Sequence, residues 1–238
     1  MNKILTLIFV LFALIMPIAA QSFLQMGLDI DGEAAEDESG TSVCMPDGNT
    51  IAIGAYLNDG SSLNIGHVRI YSWNGSEWLQ KGEDIEGEAD QDRLGWSLDM
   101  PDNNTIAIGA YLNDGSEINS GHVRIYNWNG SAWIQKGADI DGEAADDRSG
   151  WSVSMPDANT VAIGAYQNGG NGNDAGHVRI YEWNEVAWIQ KGGDIDGEVA
   201  EDLSGHAVSM PDANTVAIGA HRNDGGTYHA GHVRIYFW

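Results

Sequence analysis

Gly66-His67-Val68-Arg69-Ile70-Tyr71 is the stretch that decides how this chain folds. The same six residues start again at Gly121, Gly176 and Gly231, each time 55 residues later. Met-Pro-Asp returns with the same spacing, starting at Met45, Met100, Met155 and Met210. Repeats at a fixed period of this length are typical of solenoids, propellers and arrays.

Each repeat predicts four short strands joined by turns. In the repeat between Gly95 and Gly150, these strands cover residues 96–100, 105–110, 122–128 and 133–136. The second is apolar throughout, which indicates burial on both faces, and the third alternates at period two. Four-stranded sheets repeated radially are propeller blades. We therefore predict an all-β fold, a β-propeller of four-stranded blades, and disfavour a β-helix because its rungs are shorter than 55 residues.

The ends of the chain predict how the ring closes. The propeller domain is expected over residues 23–238, with blades at about 40–82, 95–137, 150–192 and 205–238. The last blade lacks a fourth strand, and residues 23–30 align with a fourth strand at an offset of 55. Pairing these ends would close a four-bladed ring and remove its free edges. A fragment of a larger ring and a dimer of two half-rings remain alternatives.

Residues 1–22 differ in composition from the rest. Lys3 precedes an apolar run from Ile4 to Ala20 that ends in small residues, as in a secretory signal peptide. A retained membrane anchor is the alternative. With cleavage, the chain is expected to be secreted, extracellular or at the cell surface, without membrane insertion.

Composition narrows the classes of partner. The net charge of −24 disfavours nucleic acid and anionic membranes, which both need basic patches. The single cysteine, Cys44, cannot form an internal disulfide and is interpreted as a small strand residue.

The repeat resembles the FG-GAP repeat, the blade unit of the integrin α-subunit propeller and of many bacterial secreted proteins. The resemblance lies in Val161-Ala162-Ile163-Gly164-Ala165 and Gly176-His177-Val178-Arg179-Ile180-Tyr181, and it extends over all four repeats. It implies a propeller with ligand contacts on one loop face. Family propellers usually have seven blades, whereas this chain supplies four. The family's calcium loop is not carried over, because the connection at Pro46-Asp47-Gly48-Asn49 is too short.

Acidic segments recur between the fourth strand of one blade and the first strand of the next. Antiparallel order places them on the same face as the loops between second and third strands. Dense carboxylates beside a glycine suit Ca²⁺, which takes six to eight oxygen ligands. The candidate calcium ligands are Asp29, Asp31, Glu33, Asp84, Glu86, Glu88, Asp139, Asp141, Glu143, Asp194, Asp196 and Glu198.

The same carboxylates have a structural alternative. Arg69, Arg124, Arg179 and Arg234 stand at one strand position, where a partly buried arginine needs carboxylates or carbonyls. Asp29 and its equivalents are the predicted partners. The histidines of the repeated hexapeptide are interpreted as structural, and the repeated tryptophans as packing between blades. His206, His221 and His229 occur only in the last repeat.

No catalytic constellation stands out, because the paired carboxylates recur in every repeat. The sequence predicts a non-catalytic binding or adhesion scaffold that uses its acidic loop face, with calcium dependence as an option. Its partner would be a protein or a glycan. The alternatives are a glycan-binding propeller and, with less support, a polysaccharide-acting enzyme.

Overall fold

A computed structural model describes residues 22–238, and these form eighteen β-strands and no helix. The first blade contains β1 (Ser42–Asp47), β2 (Thr50–Ala55), β3 (His67–Trp73), β4 (Trp78–Gln80) and β5 (Ile85–Glu86). The second contains β6 (Ser97–Asp102), β7 (Thr105–Ala110), β8 (His122–Trp128), β9 (Trp133–Gln135) and β10 (Ile140–Asp141). The third contains β11 (Ser149–Asp157), β12 (Thr160–Ala165), β13 (His177–Trp183), β14 (Trp188–Gln190) and β15 (Ile195–Asp196). The fourth contains β16 (Ser204–Asp212), β17 (Thr215–Ala220) and β18 (His232–Phe237).

The predicted propeller blades are confirmed as four antiparallel sheets. In the first blade the strand order is β1-β2-β3-β4, and β5 also pairs with β3. The fourth strand is therefore interrupted: β4 pairs with the end of β3, and β5 pairs with its beginning, Ile85 opposite Val68. The sequence analysis placed Glu86 and Asp141 in loops, whereas they lie in these short returning strands.

Each first strand carries the proline of Met-Pro-Asp at its irregular end. The register between β1 and β2 shifts between Cys44 and Asp47, around Pro46. A proline cannot donate a ladder hydrogen bond, and it is tolerated here because β1 is an edge strand with a bulge. The predicted first strand consequently extends through the proline.

The core lies between blades. Ala52, Val68 and Ile70 of the first blade pack against Met100 and Ile108 of the second. The second and third blades, and the third and fourth, repeat this arrangement. Contacts between blades are concentrated at the first strands (β1, β6, β11 and β16), so these strands form the inner edge of the array.

The two ends of the array do not form the predicted closure. The last sheet has only three strands, β16-β17-β18, and residues 22–30 belong to no strand. Gly27 instead lies against Trp73 and Trp78, as Gly82 lies against Trp128 and Trp133 of the second blade. The N-terminal segment thus contacts the first blade as a preceding blade would, and the structure does not show a closed ring.

The predicted signal peptide, residues 1–22, lies outside the described residues except for Ser22. Among the residues described, no helix is long and apolar enough to cross a membrane.

Candidate functional site

The loops between second and third strands, and those between blades, lie on one side of the array, here called the loop face. Residues 56–66 and 87–96 form its first two loops, and each later blade repeats them. Short side-chain bonds hold these loops. Asp147 is 3 % exposed, and its Oδ2 accepts hydrogen bonds from the Ala144 amide and from Asn168 Nδ2, both at 3.0 Å. The Asn168 Oδ1 in turn accepts from the Gly170 amide at 2.8 Å.

The sequence analysis missed these buried aspartates. Asp37, Asp92, Asp147 and Asp202 are all nearly fully buried, and each accepts at least one loop amide. Burial raises the pKa of Asp92, and the hydrogen bond from the Ala89 amide partly offsets that rise. Their recurrence every 55 residues was the available signal, but solvent exposure was assumed for the whole acidic segment.

The twelve predicted calcium ligands divide into three registers with different contacts. In the first register, each aspartate accepts a hydrogen bond from the glutamine four residues earlier, as Asp84 does from Gln80 Nε2. The members of this register are Asp29, Asp84, Asp139 and Asp194. Their carboxylates therefore help to hold the turn after the fourth strand.

The second register contributes mainly through its backbone. The Asp31 carbonyl accepts a hydrogen bond from Arg69 Nη2 at 2.8 Å, and the Asp141 carbonyl accepts one from Arg179 Nη2 at 3.2 Å. The Asp196 carbonyl accepts likewise from Arg234. Glu86, the fourth member, pairs with His67 through the strand ladder.

The third register forms ion pairs across the blade interface. Glu33 Oε1 lies 3.3 Å from Arg69 Nη1, and Glu143 Oε1 lies 3.1 Å from Arg179 Nη1. Glu88 pairs with Arg124 in the same way. The fourth member, Glu198, instead lies 3.7 Å from His232 Nδ1. The expectation that buried arginines take carboxylates or carbonyls is confirmed, although most partners come from the preceding blade and only Asp139 from the predicted register.

Three groups of titratable side chains result from this arrangement, one at each of the first three blades. Each combines a glutamate, a buried histidine and an aspartate whose ligand atoms lie within 4.8 Å of one another. The groups are Glu33–His67–Asp84, Glu88–His122–Asp139 and Glu143–His177–Asp194. Burial lowers the pKa of all three histidines, which favours the neutral imidazole.

The donor set of these groups bears on the calcium prediction. Each offers two carboxylates and an imidazole nitrogen, whereas Ca²⁺ prefers six to eight oxygens. The arginine of the same blade already supplies a positive charge to the glutamate. Calcium binding at these loops stays a prediction, and bound calcium would compete with a guanidinium.

A second candidate site lies at the inner edge of the loop face. Tyr56, Trp96, Tyr111, Trp151, Tyr166, His206 and His221 form a continuous row, here called the aromatic strip. The centroids of Trp96 and Trp151 are 4.6 Å apart, and those of Trp151 and Tyr166 are 4.4 Å apart. His206 and His221 continue the row at 4.3 Å.

Two arginines lie beside this strip. Arg93 Nη1 donates to the Tyr111 hydroxyl at 2.6 Å, and Arg148 Nη1 donates to the Tyr166 hydroxyl at 2.6 Å. These bonds fix the tyrosines, which are nearly buried, while Trp96 and Trp151 remain half-buried. The strip therefore presents indole rings held by a rigid second layer.

The strip breaks the symmetry of the repeat. Its first-strand register reads Thr41, Trp96, Trp151 and His206 along the four blades. The sequence analysis noted His206 and His221 as unrepeated, and the structure places them together. His229 lies apart from them and stacks on Tyr228, with centroids 3.9 Å apart.

The other tryptophans have the predicted packing role. Trp73 and Trp78 lie 5.3 Å apart on the first blade and enclose Gly27, and Trp128 and Trp133 enclose Gly82 of the preceding blade. Trp133 Nε1 also donates to the Lys81 carbonyl at 2.7 Å. Sequence alone could not separate these rim indoles from Trp96 and Trp151.

Comparison with known proteins agrees with the fold. Residues 139–181 match the family described as the FG-GAP repeat, which confirms the resemblance for that stretch. Among solved structures, the chain is similar to one described as Hadza microbial sialidase Hz136, with 10 % sequence identity and a TM-score of 0.30. That match covers 85 % of this chain and 53 % of the sialidase chain, so the chain spans about half of its length. No curated protein matches.

Proposed function

We propose that this chain is an exported, non-catalytic binding scaffold that holds a glycan ligand on its loop face, at the aromatic strip. The observation that carries the proposal is the contrast between two parts of that face. The loops repeat the same bonds in nearly every blade, whereas the residues of the strip differ from blade to blade. A single ligand site is expected to depart from the symmetry of its scaffold.

The chemistry of the strip favours a sugar ring as the ligand. Indole and phenol faces offer flat apolar area with little loss of conformational freedom, and the C–H faces of a pyranose fit such area. Trp96 and Trp151 present partly exposed rings on adjacent blades. Arg93 and Arg148 supply polar groups at their edge. Sites for small ligands commonly combine an aromatic lining with a few polar groups.

Replacing both strip indoles should abolish glycan binding. The double substitution Trp96→Thr and Trp151→Thr uses the residue that the first blade already carries at this register, Thr41. We expect the affinity for the best oligosaccharide from a mixed neutral and acidic library to fall at least tenfold, measured by quenching of tryptophan fluorescence and by calorimetry. The control Trp73→Phe changes a rim indole and should leave the affinity unchanged.

Two results would refute the glycan proposal. One is the absence of any binding across the library by the folded chain. The other is binding that persists at the same affinity in the double variant.

We also propose calcium as a cation for the acidic loops, on the basis of the paired carboxylates Glu33 and Asp84 and their equivalents. Because arginine already contacts these glutamates, we expect dissociation constants in the millimolar range typical of weak extracellular calcium modules. Titration of Ca²⁺ into the chelator-treated chain should give saturable heat for one to four sites and a rise in Tm. Absence of heat, together with an unchanged Tm at millimolar Ca²⁺, would rule this site out.

A further inference from the structure

The first and last blades expose surfaces that every other blade buries. On the last blade, Val233 and Ile235 are 66 % and 72 % exposed. Their equivalents at the same register, Val68 and Ile70, are 0 % and 1 % exposed. We call this surface of the fourth blade, formed by β17 and β18, the front face.

The first blade has the complementary surface. Met45 is 50 % exposed, whereas its equivalents Met100, Met155 and Met210 are 2–6 % exposed. Val43, two residues earlier on the same side of β1, is 61 % exposed. We call this surface of the first blade the back face.

Contacts within the chain show what covers such faces. At each of the three interfaces between blades, the front face of one blade packs on the back face of the next, as Val68 and Ile70 do with Met100 and Ile108. The bare front face of the fourth blade and the bare back face of the first are therefore the two halves of one more interface of the same kind. The chain's own halves do not meet in the structure.

The N-terminal segment supports the same partner. Gly27 lies on Trp73 and Trp78 as Gly82 lies on Trp128 and Trp133, so residues 23–30 take the place of a fourth strand from a blade before the first. The fourth blade has no fourth strand among the described residues. Phe23 and Leu24, which are 108 % and 87 % exposed, have the register to pair with its edge strand β18.

We propose that two copies of this chain associate head to tail into a single closed ring of eight blades. The front face of each copy packs on the back face of the other, and residues 23–26 of each copy complete the fourth blade of its partner. A head-to-tail contact is heterologous, and it gives a closed ring when the rotation between copies closes. Eight blades lie within the range that propellers adopt.

The register of the exchanged strand follows from the repeat. In the first blade, Ser72 pairs with Leu79 and Trp73 pairs with Trp78. Subtracting or adding whole repeats of 55 places Leu24 of one copy opposite Phe237 of the other, and Phe23 opposite Trp238. Directly opposed residues in antiparallel strands have Cβ atoms about 5 Å apart, which is close enough for a disulfide after cysteine substitution.

Sedimentation and crosslinking together test the proposal. We expect the purified chain at physiological salt to have twice the mass of one copy. In a Cys44→Ser background, Leu24→Cys combined with Phe237→Cys should give a covalent dimer under oxidising conditions. Val186→Cys in place of Phe237→Cys should not, because Val186 lies on the turn after β13, away from β18.

Two further variants separate docking from folding. Ile235→Lys places a charge on the exposed front face and should convert the dimer to a monomer, whereas Val186→Lys, at a residue that is 80 % exposed, should not. Gly219→Ala should do the same as Ile235→Lys. A Cβ at Gly219 meets nothing closer than 3.6 Å within the chain, but at Gly54, Gly109 and Gly164 it would lie 2.1 Å from a carbonyl of the next blade.

Three outcomes would overturn the proposal. A monomeric chain whose cysteine pair forms an internal disulfide would mean that the chain closes on itself. A monomer without crosslinks would mean that the end faces stay bare. Masses that grow with concentration beyond two copies would mean an open filament and not a closed ring.

Discussion

Replacing Gly164 by alanine is expected to lower the free energy of unfolding by about 3 kcal/mol, at the upper end of the cost of overpacking. For a chain of this length that corresponds to a fall in Tm of roughly 6–12 °C. An alanine Cβ at this position would lie 2.1 Å from the carbonyl oxygen of Gly205 and 2.4 Å from Ser152 Oγ. Both distances are far below van der Waals contact.

Neither neighbour of Gly164 can move away without loss. The Gly205 carbonyl belongs to the next blade and accepts the hydrogen bond of the Ser152 hydroxyl at 2.7 Å. Gly205 itself has φ of +82° and packs within 3.2 Å of Gly164 through the position of its own missing Cβ. Relief of the clash therefore requires the third and fourth blades to separate, which exposes the core between them.

Thermal and urea unfolding of Gly164→Ala measure this effect. The matched control is Gly48→Ala, at a turn where a Cβ would meet no atom within 4 Å and where later repeats carry Ala158 and Ala213. Its effect should stay within about 0.5 kcal/mol. If Gly164→Ala melts within about 2 °C of the unsubstituted chain, the blades are not packed as closely as this structure has them.

Removing the guanidinium of Arg124 is expected to cost about 2–3 kcal/mol at neutral pH. This side chain is 5 % exposed and joins two blades, because it pairs with Glu88 of the first blade and with both carboxylate oxygens of Asp139 at 3.1 Å. Removing one partner of a fully buried pair costs about 3–5 kcal/mol. We expect less here because Glu88 is half exposed and regains water.

The cost of Arg124→Ala should depend on pH in a defined direction. Partial burial alone would raise the pKa of Asp139, but hydrogen bonds and positive charge from Arg124 outweigh it and hold that pKa below its ordinary value. A carboxyl whose pKa is lower in the folded chain stabilises the fold above its unfolded pKa of about 4. That stability is lost as the pH falls through the folded pKa, so the cost of the substitution should shrink in acid.

Urea unfolding of Arg124→Ala at pH 7 and near pH 3 tests both parts. Arg234→Ala is the matched control, because Arg234 occupies the same register in the fourth blade and has no ion pair among the described residues. Its cost should be below about 1 kcal/mol and nearly independent of pH. Equal costs for the two variants, or a cost for Arg124→Ala that grows in acid, would contradict this account.

Much of the blade could be predicted from sequence because it depends on neighbours along the chain. The run from Thr105 to Ala110 predicted a strand buried on both faces, and all six residues are buried. Asn129-Gly130 predicted a tight turn, and Asn129 Oδ1 accepts the amides of Ser131 and Ala132 there. The interruption between β4 and β5 was missed, since nothing in the local pattern separates a strand that breaks and resumes from a strand followed by a loop.

The candidate site was only partly predictable. Repeated carboxylates and arginines predicted ion pairs, and Glu33, Glu88 and Glu143 form them. The sequence did not show that Asp147 is buried beneath a loop or that Trp96 lies on the inner edge while Trp128 lies on the rim. Both facts depend on how blades are placed beside each other, and indoles look alike in a sequence wherever they point.

By itself, the sequence determined what repeats: the strands, their turns, the number of blades in this chain and the contacts that one blade makes with the next. These features are local, and a period of 55 residues imposes them again at every blade. Only the tertiary structure decided which carboxylates are already engaged, which aromatic rings form a strip, and that Ile235 and Met45 stay exposed at the two ends. Whether ends meet depends on the rotation accumulated over all blade interfaces, and no single repeat encodes that sum.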